Sequence, residues 1–555
     1  MQEQGFGGIG MLRTLALALL LATPALADTA YINANGYTLG EDGTMRRFAT
    51  LVVDNGGRVK ATLPAGAPAP RGKKVDVKGR TLLPGLIDAH GHVMNLGERA
   101  LAVDLSETTS LAAAQAAVKA NPGARSSGSA WIRGGGWNQE RWGLGRFPTA
   151  AELDSVTGNR PAILRRVDGH AVWVNSAAIK LAGITAATPD PAGGRIERDA
   201  AGNPNGVLVD AAMKLVAAVV PPLSPAENDA ALVKSLAIMA STGLTGAHDA
   251  GIDRPTWDRY RRFAARGKLT ARLYAMAYGP DNRDAIAPDG PIGWRDGDRL
   301  AMMAMKLQAD GALGSRGAWM VDDYSDAPGN KGLPFFDEGN LRRIILAASA
   351  KGFQANVHAI GDAANGAVLS AFAAIPVNQR SALRHRDEHA QILNTGDLPR
   401  FARLGIIASI QPTHATSDKG MAEARVGEAR LAGGYAWKSL IDSGARIAAG
   451  SDFPVEPPNP FYGLHAAVTR QSRDGQPLQG WRMAEAMTLT QAFAAFTTGA
   501  AWAGHAEGKV GTLTPGKWAD FIIIEQDPFT IAPGDLWKVT IDETWLAGQR
   551  VFRRK

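Results

Sequence analysis

The segment Pro84-Gly85-Leu86-Ile87-Asp88-Ala89-His90-Gly91-His92 closes an apolar run on two histidines one residue apart. In a β-strand residues i and i+2 face the same side, so His90 and His92 present two imidazoles together, an arrangement that suits a divalent cation. The pair alone is weak evidence in a chain with ten histidines. Four later segments repeat the layout of an apolar run carrying a possible ligand. Ala304-Met305-Lys306-Leu307 holds a lysine, Ala355-Asn356-Val357-His358 and Asp387-Glu388-His389 end in histidine, and Ile447-Ala448-Ala449-Gly450-Ser451-Asp452 ends in aspartate. Singly, each has a bland reading, since a lone His is usually a hydrogen-bonded polar residue and a lone Asp is often a helix cap. Together and in this order they have no comparable structural explanation. The chain contains no cysteine, which excludes thiolate nucleophiles, thiolate metal sites and disulfides.

Such ligands need elements that aim strand ends at one place. From Leu82 to about Gly504, apolar runs ending in His, Asp or Lys alternate with Ala-rich helical stretches such as Leu341 to Lys351 and Met483 to Thr498, the βα alternation of a parallel barrel whose active site lies at the C-terminal strand ends. This zone exceeds the roughly 250 residues of a typical (β/α)8 barrel. An insertion is expected at about 121–220, where Gly, Pro, Trp and Asn are dense. Residues 28–81 and 505–555 read as short strands between Gly- and Pro-rich turns, for example Ala49 to Val53 and Phe521 to Ile524. The fold class that follows is α/β: a TIM-type barrel with an insertion, plus a small β-sandwich formed from the N- and C-terminal segments.

With 45% hydrophobic and 20% charged residues the chain has an ordinary globular composition, which excludes disorder, collagen and coiled coil. The net charge of +7 comes from interspersed groups, so nucleic acid is not an expected partner. Met11-Leu12-Arg13, the apolar run Leu15 to Ala22 and the small-residue site Ala25-Leu26-Ala27 have the three parts of a secretory signal peptide. Translation from Met11, cleavage after Ala27 and a periplasmic or secreted mature protein are expected. No stable membrane anchor would remain, because the apolar run is short of the ~20 residues a bilayer requires. An oligomer is compatible with everything in the sequence.

The ligand-bearing segments, together with Lys306-Leu307-Gln308-Ala309-Asp310-Gly311, His358-Ala359-Ile360-Gly361-Asp362, Glu388-His389-Ala390-Gln391, Gly450-Ser451-Asp452-Phe453-Pro454 and Pro515-Gly516-Lys517-Trp518-Ala519-Asp520, resemble the amidohydrolase superfamily, and within it the branch that contains N-substituted formamide deformylase. The resemblance implies two divalent metal ions, one held by His90, His92 and Asp452 and one by His358 and His389. It also implies that Lys306 bridges them as a carbamate formed with carbon dioxide. Lysine must lose its proton to act so, and burial beside cations lowers its pKa; the competing reading is that Lys306 pairs with Asp310. Zinc is the expected ion for this donor set, with manganese or iron compatible. Two such cations lower the pKa of water toward about 7 and polarise a carbonyl, and Asp452 would carry the water's proton to the leaving nitrogen. One departure stands out: Asp387 occupies a position that is commonly apolar in the family, adding an acid beside the second metal site.

The function implied is metal-dependent hydrolysis of a non-peptide carbon–nitrogen amide bond in a small, apolar substrate. Hydrolysis of an ester, lactone or phosphotriester on the same site is the alternative, and a non-catalytic exported binding protein is a third reading that the intact ligand set argues against. His170, in Asp168-Gly169-His170, is a further catalytic candidate for contact with the carbonyl or its oxyanion. Ala247-His248-Asp249 and Gln411-Pro412-Thr413-His414 are weaker candidates, and Trp137, Trp142, Trp173 and Trp319 either line an apolar pocket or form core.

Overall fold

A computed structural model describes residues 28–555 apart from 69, 122–130, 167–168 and 193. The segment expected to be a signal peptide and Asp168 therefore lie outside the described residues.

Eight parallel strands form the barrel. They are β1 (Leu86–Gly91), β2 (Leu244–Ile252), β3 (Arg272–Tyr278), β4 (Leu300–Gln308), β5 (Gln354–Ala359), β6 (Arg386–His389), β7 (Ile407–Ile410) and β8 (Arg446–Ala449). Each pairs in parallel with its neighbour in the chain. β1, β5 and β6 are buried at every position, which is why the strands read as continuous apolar runs and not as alternating ones. Among the described residues the ring closes between β8 and β1 just past the strand ends. There Asp452 N–H donates to His90 O at 2.7 Å, His92 N–H donates to Phe453 O at 2.7 Å, and Gly91 bridges Phe453. The barrel is thus sealed through the candidate ligands themselves.

The helix after β1, Val93–Leu101, packs on the helix Pro225–Ser241 that precedes β2. The second helix is opened by Pro225 and a Ser224–Glu227 capping box. The two approach so closely that a Cβ at Gly97 would lie 1.8 Å from Ala231 O, so only glycine fits there.

Residues from both chain ends form the sandwich. A four-stranded sheet, in the order Val59–Leu63, Thr50–Val53, Thr29–Ile32, Lys73–Asp76, packs on a six-stranded one. The latter runs Gln549–Arg553, Ile541–Leu546, Phe521–Ile524, Thr81–Pro84, Asn35–Leu39, Met45–Phe48. Tyr31, Leu51, Val53, Leu82, Phe521 and Ile523 share one core. Phe521–Ile524 lies antiparallel to Thr81–Pro84, the strand that leads through Gly85 into β1, so the C-terminal segment braces the base of the first ligand strand.

The inserted sheet has the order Gly194–Arg198, Pro204–Asp210, Ala171–Val174, Ala162–Arg166, Ile132–Trp137, Val103–Asp104. It opens at Val103, upstream of the expected start near Asn121. Its first strand is only two residues long and its next carries three glycines, which hides both from a pattern search. Trp137, Trp142 and Trp173 are buried in this sheet's own core, with ring centroids 6.1–6.5 Å apart. Each indole N–H donates to backbone oxygen, of Leu164, Thr108 and Thr149 respectively. These three are core and do not wall a substrate pocket.

Candidate metal centre

The strand ends bring His90, His92, Lys306, His358, His389 and Asp452 to one end of the barrel. Ligand atoms of His90, His92 and Asp452 lie within 4.8 Å of one another. Asp452 Oδ1 is 3.1 Å from His92 Nε2 and 3.6 Å from His90 Nε2, yet it is buried and aligned for a hydrogen bond with neither. Lys306 Nζ sits 3.2 Å from His90 Nε2. The rings of His358 and His389 are 4.5 Å apart, and that of His90 is 4.8 Å from His389. His358 Nε2 and His389 Nδ1 are also buried without a hydrogen-bond partner. Bare donor atoms of this kind are costly in a protein interior unless a cation or ligand satisfies them, so the residues fit a metal site.

Backbone strain marks the same place. Asp452 (φ 58°), His389 (φ 81°) and Ala390 (φ 44°) adopt the left-handed region, which disfavours non-glycine residues and often accompanies functional geometry.

The supporting shell is built from carboxylates that face the ligands by strand alternation. Glu388 Oε2 accepts from His90 Nδ1 at 2.5 Å, leaving the Nε2 lone pair turned toward Asp452 and Lys306, the tautomer a metal ligand needs. Arg386, two residues before Glu388 and on the same face, holds that carboxylate through Nε at 2.7 Å and Nη2 at 3.1 Å. Arg386 also donates to Ala89 O, Ser409 Oγ and His248 Nδ1. Asp88, two residues before His90, accepts from His90 N–H at 3.0 Å and from Ser451 N–H and Oγ–H, tying the β1 ligand to the β8 loop. Asp249 accepts from Tyr260 O–H and Val93 N–H, steadying the residue after His92. Sequence reasoning missed the roles of Arg386, Glu388 and Asp88, although their i−2 spacing from a same-face partner was the available signal.

Charge is tuned accordingly. Burial, then the Lys306 charge, lowers the His90 pKa to about 4, so its imidazole is neutral at pH 7. Burial, then His358, drives His389 well below its usual value. Burial lowers the Lys306 pKa to about 8, so part of the population is the neutral free amine at neutral pH. Burial pushes the Glu388 carboxyl up, but Arg386 and His90 more than reverse it. Burial does the same at Asp452, and the neighbouring His92 and His90 hold it below the carboxylate range.

Asp310, which the ion-pair reading of Lys306 requires, is taken by the N–H groups of Trp319, Ile360 and Gly361. Asp387 alternates to the strand face opposite Arg386 and Glu388. Burial, then the charges of Glu388 and Asp310, raises its pKa well above the usual value, so the protein interior disfavours its charged form. His170 lies on the inserted sheet's connection with its side chain 75% exposed and Nδ1 2.8 Å from Asp210; the structure does not gather it with the barrel ligands. His414 does join the cluster, its ring stacked 5.9 Å from that of His389.

A sequence profile of the amidohydrolase family matches residues 73–552. YtcJ of Bacillus subtilis (strain 168) is 34% identical over 528 residues, 93% of this chain and 98% of its own. N-substituted formamide deformylase of Arthrobacter pascens is 30% identical over 566 residues, 95% and 99% of the two chains. An uncharacterized metal-dependent hydrolase of Pyrococcus horikoshii OT3 superposes with a TM-score of 0.75 at 25% identity, covering 92% of this chain and 99% of that one. A profile match across the sandwich and the barrel, together with bare ligand atoms at the strand ends, means that this chain belongs to the amidohydrolase family.

Proposed function

We propose that the protein hydrolyses a non-peptide carbon–nitrogen amide bond of a small molecule at a site holding two divalent cations, zinc by the chemistry of the donors. The observation that carries this reading is the convergence of Asp452 Oδ1, His90 Nε2 and His92 Nε2 without hydrogen bonds among them. His358 and His389 would hold the second ion, and Lys306, as a carbamate, would supply an anionic oxygen donor to the site. Bound there, the ions would supply a Lewis acid and hydroxide at neutral pH.

The chain's own groups do the rest. Asp452, ionised at neutral pH, takes a proton from the attacking water and returns it to the leaving nitrogen, without which an amine is a poor leaving group. Glu388 fixes the His90 tautomer, and Arg386 keeps Glu388 charged. A relative named for deformylating N-substituted formamides supports the amide over the ester. The substrate expected from the sequence is small and apolar; the cavity of about 310 Å³ beside Thr413, with Ser417, Glu456, Gln471 and Arg473 in its wall, would also accept polar substituents on it.

The test is a panel of N-formyl and N-acetyl amines run against matched esters and lactones with zinc-loaded protein. Turnover confined to the amides supports the proposal, and turnover of esters or lactones alone rejects it. Export through cleavage after Ala27 is part of the same proposal. Edman sequencing of protein recovered outside the cytoplasm should start at Asp28, and a retained Leu15 to Ala27 would reject it.

A further inference from the structure

After β7 the chain enters the helix Pro412–Val426, whose N-cap Gln411 makes no side-chain cap hydrogen bond. Two polar atoms in its first turn are buried and unpartnered, Thr413 Oγ1 and His414 Nε2. Thr413 is 8% exposed and lines the cavity of about 310 Å³ that continues to Tyr462, His465 and Arg473. The His414 ring lies 5.9 Å from that of His389 with the planes 14° apart, and the electrostatic influence of His414 reaches Asp452, His389 and Asp418. The imidazole thus lies beside the ligand cluster while its chain neighbour Thr413 lines the cavity, and its Nε2 is a ring nitrogen that the protein itself leaves unused. A buried unsatisfied donor is costly, and one beside a reacting centre is explained if the reaction supplies its acceptor.

Resting on the amide-hydrolysis reading, we propose that His414 is a catalytic residue whose Nε2–H donates to the acyl oxygen of the substrate as that oxygen becomes an oxyanion, the remainder of the substrate lying along Thr413 in the cavity. As water adds to the carbonyl carbon its proton passes to Asp452 and the carbonyl π pair moves onto oxygen. When that pair returns, the carbon–nitrogen bond breaks and the nitrogen takes the proton from Asp452. His414 gains no atom and loses none; it strengthens one hydrogen bond while charge is on the oxygen. The helix N-terminus, with its positive end toward the same space, acts in the same sense.

The test uses full-length zinc-loaded protein and methylphosphonate, a small tetrahedral anion, titrated calorimetrically, with zinc per chain measured in parallel. His414→Phe keeps the stacked ring and removes the donor, whereas His414→Gln restores a donor amide. The expected result is unchanged zinc content in all three proteins, methylphosphonate binding at least about tenfold weaker in His414→Phe, and partial recovery in His414→Gln. On any amide found by the substrate panel, kcat in His414→Phe should fall about 10²–10³-fold with a small change in KM, the cost of one oxyanion donor. Equal methylphosphonate affinity in wild type and His414→Phe overturns the proposal, as does no binding to wild type. Loss of zinc from His414→Phe also overturns it, by making His414 a ligand. Failure of the amide reading is read separately, from the substrate panel alone.

Discussion

Replacing Glu388 by Gln removes one negative charge from the floor of the site while preserving its shape. The carboxylate is fully buried between His90 Nδ1 at 2.5 Å and Arg386 Nε at 2.7 Å. Removing one partner of such a pair leaves a buried charge uncompensated and costs about 3–5 kcal/mol. Because Arg386 retains Ala89 O, Ser409 Oγ and His248 Nδ1 as acceptors, the lower end, about 3 kcal/mol, is expected. A second effect is on the metal: a carboxylate that orients a ligand histidine is worth about 10–100-fold in affinity. Urea unfolding of metal-free protein reads the first effect and competition titration with zinc reads the second. The double variant Glu388→Gln/Arg386→Met, which removes both charges, should be more stable than Glu388→Gln alone but should not regain zinc affinity. Wild-type stability and wild-type zinc affinity in Glu388→Gln would refute the reasoning.

Lys306→Ala should lose most activity and recover part of it with added acetate or formate. Lys306→Arg should not be rescued, since a guanidinium keeps its charge and fills the space; full activity of the Ala variant without additive would show that Lys306 is not a bridge. His385 accepts the Ala355 N–H through Nδ1 at 2.9 Å, and burial, then Arg380, lowers its pKa to about 3. The unfolded chain takes up a proton below about pH 6.5 where the folded one does not, so stability falls with pH over that window, by about 2 kcal/mol from this group between pH 7 and pH 5. Urea midpoints of His385→Gln should accordingly drop less than wild type over that interval, and an equal drop would contradict this. Phe521 packs against Tyr31 and Trp545 at 4.9 Å and 5.4 Å, so Phe521→Ala should cost about 3–5 kcal/mol by urea unfolding. A loss under about 1 kcal/mol would mean that the sandwich relaxes around it.

The barrel was legible because its candidate ligands lie at or just past the ends of buried strands. His90 and His92 announce themselves by two-residue spacing, and Lys306, His358, His389 and Asp452 each break an apolar run at the end a barrel uses. The pairing of Phe521–Ile524 with Thr81–Pro84 was legible only as two β-rich chain ends, since strand partners this far apart carry no local signal. Less could be read of what holds the ligands. Arg386 and Glu388 are fully buried in the barrel interior, while residues of their type are ordinarily at the surface, so only their shared face hints at a pair. The start of the inserted sheet was masked by the brevity of Val103–Asp104 and the glycines of Ile132–Trp137. His170 drew attention through its neighbours in sequence; it lies on the connection just before the strand Ala171–Val174, with Nδ1 2.8 Å from Asp210.

The central claim is that bare histidine and aspartate atoms at the barrel mouth hold divalent metal. Metal analysis of purified protein by inductively coupled plasma mass spectrometry, after reconstitution with zinc and removal of excess, tests it most directly. Wild-type protein should carry two ions per chain, His90→Ala and His358→Ala should each show a clear loss, and activity should disappear with the metal on chelation. Metal-free wild-type protein that remains active, or a zinc content in His90→Ala equal to wild type, would contradict it.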